Sequence, residues 1–123
     1  MPTEVSDAEV EALRKSFKRC REGTADAIIE LRRTGGIALI RTIVRGIVWR
    51  YVQEEARPIV EEATPETPLA SLGIDSLMML EVVLDVQDAL DVTIEDSDLR
   101  QMQTIGDVIA FLEQKYTATH RVS

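Results

Sequence analysis

Apolar residues recur at three- and four-residue steps along most of the chain, the spacing of amphipathic helices. Ser6-Asp7-Ala8-Glu9 has the form of a capping box. Val10, Leu13, Phe17 and Cys20 follow on one helical face, and Gly23 ends this first helix. Thr24 can cap a second, shorter helix carrying Ala27, Ile28 and Leu31, and Thr34-Gly35-Gly36 breaks the chain. The pattern then predicts a long helix from about Ile37 to Ala56, with Ile37, Ile40, Ile43, Val44, Ile47, Val48, Tyr51 and Val52 on its main stripe. Ala38, Thr42, Gly46 and Trp49 lie away from that stripe, a seat for the two preceding helices packed as a hairpin. Pro58, Pro65, Pro68 and Gly73 punctuate residues 57–74, which read as a loop lying across the core through Ile59, Val60, Leu69, Leu72 and Ile74. Asp75 or Ser76 can open the next helix, running to about Leu90. A short helix around Ser97–Gln101 follows, with Ile94 and Leu99 buried. Thr104 to Asp107 form a second capping box, which opens a final helix through Ile105, Val108, Ile109 and Leu112. After Tyr116 the pattern fades into a polar tail.

No alternating strand pattern competes, so the expected class is all-α, a small bundle. The organisation read from the pattern is a helical extension over residues 1–36, a bundle domain over 37–116 and a flexible tail over 117–123. Composition agrees: of 123 residues, only 4% are aromatic, against the needs of a β-sandwich or barrel. No apolar run approaches the roughly 20 residues of a membrane span. The acidic first residues do not read as a signal peptide, and the expected setting is the cytoplasm. One cysteine and one histidine supply neither a disulfide nor a zinc site. His120, in the tail, reads as a solvated residue.

Charge divides the chain. Residues 1–50 hold 10 basic and 7 acidic residues, and residues 51–123 hold 4 and 15. The acidic second part repels nucleic acid and attracts basic protein surfaces.

The chemistry concentrates in Leu72-Gly73-Ile74-Asp75-Ser76-Leu77. Gly73 permits a tight reversal, Asp75 is a good N-cap, and Ser76 falls in the first helical turn. Backbone N–H groups and the positive helix end there tolerate a phosphate ester. No histidine or lysine stands close in sequence to activate the hydroxyl, so Ser76 reads as a substrate for modification rather than a nucleophile. The chain is not expected to be an enzyme.

On a helical wheel from Leu77, residues Met78, Met79, Val82, Val83, Val86, Ala89 and Leu90 form the core face. Glu81, Asp85 and Asp88 form an acidic stripe, with Leu77 and Leu84 beside it, off the core. This combination is a candidate docking face: acids that steer a basic partner, leucines that supply contact area.

The order LGIDSL, MMLEVVLDVQDAL, DSDLRQM and TIGDVIAFLEQKY, over residues 37–116, resembles an acyl carrier protein. The resemblance implies a bundle of three longer helices and one short one. It implies that Ser76, beside Asp75, receives 4′-phosphopantetheine from coenzyme A through a phosphopantetheinyl transferase. The arm would hold acyl groups as thioesters for the loading, condensing and modifying enzymes of fatty acid, polyketide or specialised lipid assembly. Those enzymes would dock on the helix after Ser76, and the carrier would be a monomer. Met78, Ser71 and Pro68 depart from frequent family choices, which bears on docking charge and pocket lining. The first 33 or so residues have no counterpart in the minimal domain. The rival readings are an amino-acid-loading carrier and an unmodified helical adaptor, with a small hydrolase further off for want of a base near Ser76.

Overall fold

The computed structural model describes residues 5–120. Its α-helices are α1 (Asp7–Ser16), α2 (Thr24–Thr34), α3 (Leu39–Tyr51), α4 (Arg57–Glu61), α5 (Ser76–Leu90) and α6 (Ile105–Thr119). Short 3₁₀ turns cover Glu54–Ala56, Leu69–Leu72 and Asp96–Gln101. The class is all-α, as the periodicity predicts. Helix α3 is the hub: α2, α5, α6 and α4 all pack on it.

Its residues explain that position. Ile40, Ile43, Val44, Ile47 and Val48 are all fully buried, on a face too wide for a single partner. Helices α5 and α6 pack on it, and so does α2, which α1 in turn covers. Gly46 makes the second contact possible, because a Cβ there would collide with the Thr24 side chain of α2. The peptide N–H of Arg21 also donates to Gly46 O at 3.2 Å. Leu13, Phe17, Cys20, Ile28 and Leu31 join Ile47, Val86, Leu90 and Leu112 in one hydrophobic cluster. The extension and the bundle therefore share a core.

Several boundaries differ from the sequence reading. Helix α1 ends at Ser16, and residues 17–23 are turns whose Phe17 and Cys20 still point inward. Thr24 is no cap: Gly23, left-handed at φ 94°, holds that position, and Thr24 is buried with its hydroxyl donating to Arg21 O at 2.7 Å. Helix α3 starts at Leu39 rather than Ile37, whose side chain is exposed ahead of the helix instead of on its stripe, and it stops at Tyr51 rather than Ala56, because Val52 turns to extended backbone while staying buried. Pro58 opens α4 instead of following a helix end; its missing N–H is harmless in a first turn. Ala38, Thr42 and Trp49 do not share the seat with Gly46. Ala38 and Thr42 are exposed, and Trp49 is half-buried beneath the Arg57 guanidinium, 3.8 Å from its ring centre.

Residues 57–74 cross the core as expected, through Val60, Leu69, Leu72 and Ile74, but they are not a plain loop: α4 and the Leu69–Leu72 turn lie within them, and Ile59 is exposed. Their backbone is sewn to the start of α6: Leu69 N–H donates to Gln103 O, Ile105 N–H to Thr67 O and Gly106 N–H to Pro65 O. At Gly106 a Cβ would stand 2.6 Å from Pro65 O, so a side chain would part the two segments.

The last helix continues through Thr119, into the stretch read as a tail, and His120 is not a free residue. Its Nε2 lies 2.9 Å from both Leu90 O and Asp91 O at the end of α5, and its ring packs 4.4 Å from that of Tyr116. Residues 121–123 of the expected flexible tail lie outside the described residues.

Candidate functional site

Ser76 is the first residue of α5 and is exposed. Three local features place it there. Gly73 takes a left-handed conformation, φ 84°, that reverses the chain after the Leu69–Leu72 turn. Ile74 then buries its side chain and fixes the approach to the helix. Asp75 caps: its Oδ1 accepts the Met78 N–H at 2.8 Å, and its carbonyl accepts the Met79 N–H at 2.9 Å. The N–H groups of Ser76 and Leu77 belong to the part of a first turn that has no intrahelical partner.

Beside Ser76 opens a cleft of about 450 Å³. Leu69, Ile74, Met79, Leu99 and Met102 line it, from the loop, α5 and the short helix before α6. That short helix is held by a reciprocal cap, in which the Glu95 and Asp98 side chains each accept the other residue's N–H. Leu99 and Ile94 are only half-buried, unlike the sequence expectation, and Leu99 thereby becomes cleft wall.

These features fit a phosphate ester that carries an apolar cargo. The hydroxyl is accessible, it stands at the positive end of a helix dipole, and an apolar cleft begins next to it. Asp75, the charged residue of the lining, is engaged as a cap.

The docking face comes out differently from the wheel. Leu77 and Leu84 are 70% and 59% exposed, as expected for residues off the core. Leu80, which the wheel did not single out, is 47% exposed and completes a stripe. Glu81 and Asp88 are exposed. Asp85 is not part of a free acidic stripe. Its side chain is 19% exposed, and its Oδ2 accepts from Tyr51 Oη at 2.6 Å and from Arg50 Nη1 at 3.1 Å. Burial, then the hydrogen bond and charge of Asp85, push the Tyr51 hydroxyl well above its usual range. The missed signal is long-range: the partners stand 34 and 35 residues away, on α3.

The C-terminal end of α5 is also held. Arg32 of the extension donates from Nη2 to Asp88 O at 2.8 Å and to Ala89 O at 3.3 Å, while its Nη1 pairs with Glu9 at 2.9 Å. At the other side, Arg21 pairs with Glu61 of α4, and Arg45 donates to Ala63 O at 2.9 Å.

An exposed serine thus stands at the capped head of α5, with an apolar cleft beside it in a small helical bundle. The chain belongs to the phosphopantetheine attachment site family, whose profile matches residues 50–112 and so encloses Ser76. It is 43% identical over 69 residues to an acyl carrier protein of an Exiguobacterium species, covering 55% of this chain and 87% of that one. It is 35% identical over 74 residues to an acyl carrier protein of Desulforapulum autotrophicum, covering 58% and 96%. An acyl carrier protein of Thermotoga maritima is 29% identical over 72 residues, covering 58% and 85%. No solved structure matches. The protein has acyl carrier function, its cofactor is 4′-phosphopantetheine, and it works with biosynthetic enzymes and the transferase that attaches the arm. Among the described residues no helix is long and apolar enough to cross a membrane.

Proposed function

We propose that Ser76 bears the 4′-phosphopantetheine arm, and that the chain ferries acyl groups among enzymes of fatty acid, polyketide or specialised lipid assembly. The observation that carries this is the exposed Ser76 at the head of α5, opening on an apolar cleft of about 450 Å³. The arm, when attached, supplies the thiol that holds the acyl group as a thioester. The chain's own residues do the rest. Asp75 caps the Met78 N–H and so fixes the first turn of α5, where a phosphate ester on Ser76 gains from the helix dipole. Leu69, Met79, Leu99 and Met102 offer an aliphatic cargo a surface away from water. Tethering raises the effective concentration of that cargo at a docked partner's site.

The chain performs no catalysis on this reading: the cleft beside the Ser76 hydroxyl is lined by mostly apolar residues, its one carboxylate, Asp75, is engaged as a cap, and the Gln103 amide is no base. It acts as a monomer in the cytoplasm. The apolar lining favours an acyl cargo over an aminoacyl one. Incubation with coenzyme A and a broad-specificity phosphopantetheinyl transferase tests the site. The wild-type chain is expected to gain one phosphopantetheine unit by mass, and Ser76→Ala none, with helicity unchanged because the Asp75 cap remains. A Ser76→Ala chain that still gains the unit overturns the assignment.

A further inference from the structure

One wall of the cleft beside Ser76 comes from the short helix Asp96–Gln101, through Leu99, and from Met102 just after it. That helix buries none of its own residues, and its Glu95–Asp98 cap is local. Its position is therefore set from its two ends. At the far end Met102 is buried, Gln103 N–H donates to Asp107 Oδ2 at 3.2 Å, and Gln103 O accepts from Leu69 N–H at 2.9 Å. At the near end the chain leaves α5 through Asp91, which at φ 52° is the one non-glycine among the described residues in the left-handed region. Such a conformation persists where its surroundings hold it. Here Val92 is buried, Ile94 is half-buried, and the polar anchor is Gln87. Its main-chain oxygen accepts from Asp91 N–H and, at 3.4 Å, from Val92 N–H. Its side-chain Oε1 accepts from Ile94 N–H at 2.8 Å. His120 reaches only the carbonyls of Leu90 and Asp91. Among the described hydrogen bonds, the Gln87–Ile94 bond alone ties residues 93–101 to another helix. Without it, no buried side chain of the short helix stops Leu99 from swinging off the cleft.

We propose that Gln87 is a positioning residue of the carrier: through the Ile94 N–H it holds Leu99 and Met102 at the cleft, and so sets how well an aliphatic cargo is kept from water. Gln87 does not line the cleft itself and stands about three turns beyond Ser76 along α5. The inference rests on the carrier reading, since the cargo is the one the Ser76 arm would bear.

The test loads the full chain with acetyl and with octanoyl arms, using a transferase and the matching acyl-coenzyme A. Mass spectrometry then follows how fast hydroxylamine cleaves each thioester to a hydroxamic acid and the free thiol. Each rate is divided by that of the same acyl group on free coenzyme A. On this scale the wild-type chain is expected to protect octanoyl more than acetyl. Gln87→Met keeps the reach of the side chain but offers Ile94 no acceptor, and should shrink that difference by about twofold to tenfold, the scale of one net hydrogen bond. Gln87→Glu keeps an acceptor of the same reach and should match wild type. A general loss of stability raises both rates together and cancels in the ratio. Amide exchange at Ile94 in the unmodified wild-type chain needs no variant and should be slow. Octanoyl no better protected than acetyl in wild type, undiminished protection in Gln87→Met, a Gln87→Glu chain that behaves as Gln87→Met, or free exchange at Ile94 overturns the proposal. A chain that loads and gives one of these results refutes the positioning role alone. A chain that takes no arm overturns the carrier reading, and this inference with it.

Discussion

Burial, and then the nearby charge of Asp85, push the Cys20 thiol from 9.0 up to about 11. The folded chain therefore keeps a proton between those values that the unfolded chain releases. The stability this contributes is complete below pH 9 and falls away as pH rises through 11. Urea unfolding below pH 9 and near pH 11 should show the loss, and Cys20→Ala should reduce it, most clearly between pH 9 and 10, because the raised Tyr51 and Tyr116 hydroxyls add their own loss above that; an unchanged slope in the variant between pH 9 and 10 would mean that Cys20 is not the group responsible. Gly46 offers a second test at this scale. Alanine is ordinarily the better helix former by roughly 1 kcal/mol. Here its methyl group would strike Thr24, so Gly46→Ala should instead destabilise by about 1–3 kcal/mol. Thr24→Ala in the same chain should recover part of that, and a Gly46→Ala chain as stable as wild type would mean that the hairpin does not sit so close. The Gly46 seat was legible in the sequence, because a glycine among larger residues on a second helix face points to close approach. The role of Thr24 was not: a threonine at a helix start has the same look whether it caps or packs.

Among the elements, α5 was the most legible and the most instructive. Its limits, its Asp75 cap and its buried Val82, Val83, Val86, Ala89 and Leu90 follow from spacing within one helix, whereas Met78 and Met79 of the same expected core face are only half-buried; the Thr104–Asp107 box that opens α6 is equally local. Asp85 followed the same local pattern and ended elsewhere, because its partners arrive from α3. The two acids of this helix should now separate in experiment. Asp85→Ala leaves the Tyr51 hydroxyl and Arg50 without their acceptor in a half-buried place, and should cost about 1–3 kcal/mol of stability. Glu81→Ala and Leu84→Ala, both exposed, should each stay within about 0.5 kcal/mol of wild type. Chemical denaturation of the three variants reads this directly. Equal losses at Asp85 and Glu81 would return Asp85 to the free acidic stripe. The end of α3 shows the converse limit. Apolar periodicity runs on through Val52, yet the helix stops, because burying Val52 in an extended turn lets Pro58 begin α4.

For the molecule as a whole, the extension is built into the fold of the carrier. Phe17, Ile28, Ile29 and Leu31 are at most 4% exposed, and each contributes about 1.5–3 kcal/mol when fully buried. Their sum is comparable with the entire stability of an ordinary domain, roughly 5–15 kcal/mol. Removing residues 1–36 should therefore abolish cooperative thermal unfolding, or lower its midpoint far beyond a point substitution. A truncated chain that melts like the full one would show that the carrier helices are sufficient alone. Family resemblance made the carrier register visible in residues 37–116, while the coupling of the extension to α5 through Arg32, and to α4 through Arg21, needed the structure. The central claim is that this bundle exists to present Ser76 with an acyl-bearing arm. The most direct measurement is mass spectrometry of the protein isolated from its native host, with the modification mapped to a peptide. The account predicts a phosphopantetheine unit, with or without an acyl group, on the peptide that contains Ser76. A chain found wholly unmodified, or modified at a different serine, would contradict it.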